Sequence, residues 1–421
     1  MKNTTIVLVL VICLLNLLRM AVYMLGSDAY TLKQTRRIKR RGRWHLPSVT
    51  VVIPAHNEEK VIIRALQSLY EANYPARKLE VIVADDGSTD RTRSVALAFK
   101  RSHNDRCNFR VITRPNKGKA SALNYVMQRH AKGSIVVCLD ADSYFMPSAL
   151  RNAVQLFRDR QVVALSSNVN IIEDGTFLAL LQRFEYVVCY QMKKGQALMG
   201  VEYIVGGIGS MFRRSTLQKV GYYDTNTMTE DIDLTMKIIA QKTKHQKIAY
   251  AADSIVYTEA AHTLPALMRQ RYRWKYGRSQ TFLKHRDLFF SNTGRYAKRL
   301  AWFMLPFSIV QDVLFFFEPF MLGYFIYISA RYANVAVFAS ALIVLTIYML
   351  SNVWSSDHVS FRQKLRLSFY APPMYLAMYV VAYAEYYALI KALLLAHRLP
   401  NSIKQTDFTW KSPERRNTPV A

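Results

Sequence analysis

The chain has 421 residues, 51% of them hydrophobic, and a formal net charge of +28. That length allows one sizeable core plus a membrane region, and apolar runs at both ends make the basic excess read as positive loops facing the cytosol rather than a nucleic-acid surface. Cys13, Cys107, Cys138 and Cys189 form no CxxC pair, and with Cys13 and Cys138 in apolar runs they read as reduced, structural thiols; no HExxH or Cys/His ligand cluster is present, which speaks against zinc.

Residues Ile6 to Leu25 form an apolar run of spanning length, interrupted only by Asn16 and Arg19. A cleaved signal peptide is the competing reading, but the segment before the run offers only Lys2, and no clear small-residue cleavage site follows. Lys33, Arg36, Arg37, Lys39, Arg40, Arg41 and Arg43 come next. The positive-inside rule places them in the cytosol, beside anionic lipid headgroups, and leaves the amino terminus outside.

From Val49 the pattern becomes that of a folded domain. Val49 to Pro54 reads as a β-branched strand, and Val61, Ile62, Ala65, Leu66 and Leu69 follow at helical spacing. Glu80 to Ala84 is a second strand, Phe109 to Ile112 a third, Gly118 to Arg129 a helix, and Ile135 to Leu139 a buried strand. This alternation predicts an α/β fold with a mostly parallel sheet. GxGxxG is absent after the first strand, which argues against a dinucleotide fold of the usual kind.

Carboxylates follow the strands at equivalent places: Glu58 after the first, Asp85 and Asp86 after the second, Asp140 and Asp142 after Ile135 to Leu139. In open α/β sheets such ends line a ligand crevice. Two acids separated by one small residue repel each other unless a cation intervenes, and Mg²⁺ or Mn²⁺ bridging to substrate phosphates satisfies that need; a turn that caps the next helix is the plainer alternative. Lys117 and Lys119 flank Gly118 at a helix start, where direct charge on phosphate adds to the helix dipole, although most such lysines are solvated surface.

Val162 to Ile172 reads as another strand and Phe177 to Leu198 as an aromatic-rich helix. Gly206 to Ser210 is a turn that lets backbone approach a ligand closely. Thr227 with Glu230 fits a capping box, with Ile232, Met236 and Ile239 on one face of the helix that follows. Acids are ordinary in a first helical turn; the functional reading makes Asp231 a general base. If Gln270-Arg271-Tyr272-Arg273-Trp274 is helical, Gln270, Arg273 and Trp274 share a face suited to a sugar and a diphosphate, or alternatively to lipid headgroups.

Beyond Leu300 the chain is strongly apolar, with spans expected near 307–330, 335–354 and 369–395. The domains are then an amino-terminal transmembrane helix (1–28), a basic juxtamembrane segment (29–46), a cytosolic catalytic domain (47–297), a membrane region opening with an interfacial helix (298–396) and a basic tail (397–421). Charge puts the tail inside, whereas one amino-terminal and three carboxyl-terminal crossings put it outside.

Asp85-Asp86-Gly87-Ser88, Asp140-Ala141-Asp142, Thr229-Glu230-Asp231 and Gln270-Arg271-Tyr272-Arg273-Trp274, in this order between spans, resemble the processive, membrane-embedded family 2 glycosyltransferases over residues 47–280. Within that group, residues 49–59, 209–222, 229–233 and the tail Trp410 to Arg415 are most similar to bacterial poly-β-1,6-N-acetylglucosamine synthases, which make biofilm polysaccharide.

The resemblance implies a GT-A (Rossmann-like) domain flanked by transmembrane helices in the plasma (inner) membrane. Its donor would be UDP-N-acetylglucosamine and its product a nascent polysaccharide, with Mg²⁺ or Mn²⁺ as cofactor, the lipid bilayer as partner, room for a small accessory membrane subunit, and no nucleic acid. Asp86, with Asp85 and Glu58, would bind the uridine. Asp142 and Asp140 would hold metal and diphosphate, with Lys119 beside them. Asp231 would deprotonate the acceptor, and Glu230, Gln270, Arg271, Arg273 and Trp274 would hold the acceptor and the leaving UDP. Glu385 and nearby tyrosines either line a path for the product or pack the helices. Hyaluronan or chitin-type synthesis, glucosyl transfer to a lipid, and a non-catalytic basic membrane protein are the competing readings.

Overall fold

The structure is a computed structural model that describes residues 18, 20–34, 45–103, 108–294, 296, 298–331, 335–356, 359–402 and 415. Helix α1 (20–34) carries the part of the first expected span that is described. The other residues of that span and the basic cluster from Arg36 to Arg43 lie outside the described residues.

The apolar runs become strands β1 (Val49–Ala55), β2 (Leu79–Asp85), β3 (Asn108–Thr113), β4 (Ile135–Cys138), β5 (Tyr144–Phe145), β6 (Val162–Ile171), β7 (Ser210–Arg213) and β8 (Lys247–Thr258). They form one sheet in the order β3-β2-β1-β4-β7-β6-β8-β5. The β3 to β4 half is parallel, as the alternation predicts. β7 runs antiparallel to both β4 and β6, and β5 antiparallel to β8, so the second half is mixed.

In register, Ala55 lies beside Asp85, and Val52 beside Cys138, which brings the carboxyl ends of β1, β2 and β4 to one edge. Because β7 is reversed, with Ser210 opposite Cys138, the glycine turn before it reaches that same edge.

Helices cover both faces, so the central strands are buried on both sides and read as continuous apolar runs rather than alternating ones. Helices α2 (Ile62–Tyr70), α3 (Thr92–Ser102) and α5 (Ala149–Val154) pack one face. Helices α4 (Lys119–Arg129), α7 (Arg214–Val220) and α8 (Glu230–Gln241) pack the other. Between them in sequence runs α6 (Phe177–Met199). Helix α1 lies against α6 where Gly26 meets Gly195, and Ser27 donates to Gln191 at 2.8 Å.

Helix α9 (Leu264–Lys284) crosses the start of α8 at Gly277, where a Cβ would come within 2.6 Å of Thr229; only glycine permits that approach. The expected capping box at Thr227 is not formed. The N-cap is Thr229, its side chain makes no capping bond, the Thr227 hydroxyl has no hydrogen-bond partner, and Glu230 faces a lysine instead.

Leu300–Phe320 is long and apolar enough to cross a membrane; it enters α10 (Leu305–Arg331) through a π-turn. Helix α11 (Val335–Trp354) holds a shorter apolar stretch, Leu342–Trp354. The expected span over 369–395 is not one helix. It divides into α12 (Phe361–Ala377) and α13 (Tyr379–Leu394), with the Phe361–Met374 and Tyr379–Leu394 stretches meeting at 63°. Pro372 and Pro373 remove two amide donors from the turns just before that break. The short α14 (Leu399–Ser402) follows.

Candidate active site

At the end of β2, Asp85 is fully buried. One of its carboxylate oxygens accepts the Ser88 amide at 3.0 Å and the other has no hydrogen-bond partner. Asp86 accepts the amides of Lys117 at 3.2 Å and Gly118 at 2.7 Å. Burial raises its pKa against the pull of those amides and of Arg114. Asp85 and Asp86 therefore tie the Gly87 turn to the turn before α4. Gly87 sits at a φ of +72°, and a Cβ there would meet the Asn116 amide at 2.9 Å.

At the end of β4 the acids are held by side-chain cations. Lys119, on the first turn of α4, lies 2.7 Å from Asp140 and 3.4 Å from Glu230, bridging β4 to α8. Burial opposes the lysine's charge, but the two carboxylates outweigh it and raise its pKa. Burial likewise pushes Glu230 up, and Lys119 and Arg273 outweigh it, so Glu230 stays below the usual carboxylate range.

Asp231 is shifted the other way: burial, then the neighbouring Glu230 charge, raise it. Its carboxylate accepts the Gly207 amide from the β7 turn at 2.8 Å and its neighbour Ile232's amide at 2.8 Å. An acid and a lysine-paired acid side by side with opposite shifts is the arrangement that separates a base from a permanently charged partner.

Asp142 accepts the Ser143 hydroxyl at 2.8 Å on one oxygen, and Arg415 at 2.5 Å on the other. Arg415 also makes a two-pronged pair with Glu58 at 2.9 and 3.0 Å. Glu259, from the end of β8, adds its charge to this pocket and pairs with Arg64 at 3.1 Å; burial pushes Glu259 up, but His262 and Arg64 outweigh it and bring it down to about 2. Arg64 and Arg415 escape a reading based on strand ends, and Glu259 follows β8, a strand the sequence reading did not identify. Arg415 is 273 residues from Asp142, and its one signal was the similarity of the tail.

Helix α9 delivers the last group. Arg273 acts electrostatically on Glu230, Asp231 and Lys119, so it belongs to the acid cluster. The Gln270 side-chain carbonyl is buried with no hydrogen-bond partner. Arg271 does not join them. It is 3% exposed, both terminal nitrogens are 2.7 Å from Glu185, and one is 3.1 Å from Glu385. Its two terminal nitrogens face α6 and α13, and its Nε is buried without a hydrogen-bond partner. Trp274 stacks against it, with the guanidinium 4.5 Å from the ring centroid.

The crevice thus brings Glu58, Asp140, Asp142, Lys119, Glu230, Asp231 and Arg273 together from five separate segments. A base beside a fixed lysine–carboxylate pair, near a second pair of acids held by an arginine, suits displacement of an anionic leaving group by a hydroxyl.

The family model described as glycosyl transferase family 2 matches residues 50–221. A poly-beta-1,6-N-acetyl-D-glucosamine synthase of Staphylococcus epidermidis is 25% identical over 378 residues, covering 88% of this chain and 88% of the relative. A beta-monoglucosyldiacylglycerol synthase of Nostoc sp. is 29% identical over 282 residues, covering 66% of this chain and 58% of the relative. Among solved structures, a mannosyltransferase from Pyrobaculum calidifontis in complex with GDP-Man and Mn²⁺ aligns over 90% of this chain and 98% of its own, with a TM-score of 0.55 and 22% identity. That likeness extends the shared fold beyond the sheet.

Proposed function

We propose that this chain, a family 2 glycosyltransferase, polymerises N-acetylglucosamine from UDP-N-acetylglucosamine into an exported polysaccharide. The observation that carries the reading is the Lys119 bridge between Asp140 and Glu230, which sets Asp231 at the end of β4. In this reading Asp231 takes the proton of the acceptor hydroxyl. The hydroxyl oxygen bonds to the anomeric carbon as the carbon–phosphate oxygen bond breaks, and UDP leaves from the opposite face. One base suffices for such an inverting step. Lys119 and Arg273 stand where they can receive the charge that develops on the diphosphate. Gln270 and Trp274 hold the acceptor sugar, and Asp86 with Glu58 shapes the nucleotide end.

The donor set fits Mg²⁺ or Mn²⁺ arriving with the diphosphate. Among the described residues no three His, Cys, Asp or Glu side chains form a ready metal cage. One oxygen of Asp142 is already neutralised by a guanidinium, the place of a cation. Such ions bind through one or two carboxylates plus phosphates; here Asp142 and Asp140 would hold the ion, which would supply charge stabilisation to the leaving group.

The catalytic domain (47–297) lies in the cytosol, against a plasma membrane that the segments at 1–28 and 298–396 enter. Arg415 in the crevice supports a tail on the same side as the domain, with α10 and α11 crossing in opposite directions and the bent α12–α13 pair returning to the cytosolic side.

The test supplies membranes containing the protein with labelled UDP-N-acetylglucosamine, UDP-glucose, or UDP-N-acetylglucosamine plus UDP-glucuronate. High-molecular-weight product from UDP-N-acetylglucosamine alone is expected; product only with glucuronate points to hyaluronan and overturns the reading. A second reading, glucosyl transfer to a lipid, is favoured by the Nostoc relative and predicts label confined to lipid from UDP-glucose.

A further inference from the structure

Helix α9 presents two faces. Gln270, Arg273 and Trp274 serve the crevice, while Arg271, Lys275 and Arg278 share the spacing of one helical stripe. Each cation of that stripe meets an acid from a different helix. Arg271 forks onto Glu185 of α6 and reaches Glu385 of α13. Lys275 lies 3.2 Å from Glu385 and 2.9 Å from Asp312 of α10, and Arg278 pairs with Asp312. Three cations are matched by three acids, and the side chains of all six are at most 24% exposed.

Buried ion pairs are a poor source of net stability, but removing one partner is costly, so they fix geometry. The three cations together hold α9 against α6, α13 and α10. The consequence reaches the crevice through one contact. The Arg271 guanidinium, clamped by Glu185 and Glu385, is the surface on which the Trp274 ring lies. An arginine held in a two-pronged pair presents a fixed plane, which a lysine does not.

We infer that Glu185 and Glu385 are positioning residues for the acceptor: acting through Arg271, they set the plane of Trp274 and tie it to helix α13. The inference rests on the proposed function, in which Trp274 carries the acceptor sugar. It makes Glu385 a part of the crevice's support rather than a lining of the product path.

The test uses the full chain in membranes, with Glu185→Gln, Glu385→Gln and Arg271→Lys. Initial rates are measured against a soluble N-acetylglucosamine oligomer as acceptor, and UDP affinity is measured separately. Glu185→Gln is expected to raise the acceptor KM about tenfold, the scale of one cation–ring contact. UDP affinity should stay within about twofold, and Arg271→Lys, which keeps the charge but loses the fork, should share the phenotype. In a Trp274→Ala background, Glu185→Gln should add less than about twofold, because the two act through one contact.

An unchanged acceptor KM, an equal loss of UDP affinity, or full additivity with Trp274→Ala overturns the inference while wild-type polymerisation stands. Failure of the wild type to extend any sugar acceptor overturns the proposed function, and this inference with it.

Discussion

The two ends of the crevice hold their carboxylates in different ways. At the β2 end, one oxygen of Asp85 accepts the Ser88 amide, and Asp86 accepts the amides of Lys117 and Gly118. At the β4 end, Glu58 and Asp142 are held by Arg415, and Asp140 and Glu230 by Lys119. An amide bond to a loop cannot leave without moving the loop. A lysine or arginine head can turn toward a diphosphate and free its acid for a metal. On the proposed function, the first pair belongs to the scaffold that shapes the nucleotide end, and the second set is the part that would change partners during a turnover.

Substitutions sharpen this contrast. Asp231→Asn should lower the initial rate of sugar incorporation by about 10² to 10⁴, the contribution of a placed base, with UDP affinity retained. A loss of UDP affinity equal to the loss of rate would make Asp231 a binding group instead. Asp142→Asn, or chelation of divalent ions in the wild type, should cost about 10² to 10³ in rate. The two together should cost little more than either alone, and independent effects would separate Asp142 from the metal.

Because burial and Glu230 raise Asp231, its base form is lost as pH falls through a pKa above the ordinary carboxylate value of about 4. The acid limb of kcat/KM should therefore lie above that value, and a limb at or below it would remove Asp231 from the role. Asp86→Asn should act on the scaffold, costing about 1.5 to 3 kcal/mol in unfolding experiments, with weaker UDP binding as a consequence. Unchanged stability with lost UDP binding would show the side chain meeting nucleotide directly. The smallest effect is expected for Arg415→Gln. Freed of the guanidinium, Asp142 with Asp140 should bind Mn²⁺ roughly fivefold more tightly by electron paramagnetic resonance titration, and weaker binding would contradict the exchange of partners.

Much of the first half of the sheet was legible in the sequence. β1, β2 and β4 are apolar runs buried on both faces, and each leads into an acid of the crevice. β7 was not: Ser210 to Arg213 is four residues long and reads as the tail of a glycine turn. Its antiparallel pairing with β4 is what carries Gly207 to Asp231, a long-range fact with no local pattern. The same reason hid the partition of the Gln270–Trp274 segment. Helical spacing put Gln270, Arg273 and Trp274 on one face, but only the packing of α6 and α13 could reveal that Arg271 pairs with Glu185 and Glu385. Asp85 ends a strand, and one of its oxygens holds the tight Gly87 turn, a bond with no local sequence pattern.

The most direct measurement is a structure of the full chain in membranes or detergent with UDP and Mn²⁺ bound. The account predicts the diphosphate against Lys119, the ion on Asp142, Arg415 moved from that carboxylate, and Asp231 open to an acceptor hydroxyl at about 2.6 to 3.2 Å. A nucleotide seated away from the β4 end, with Lys119 and Arg415 still on their acids, would contradict it.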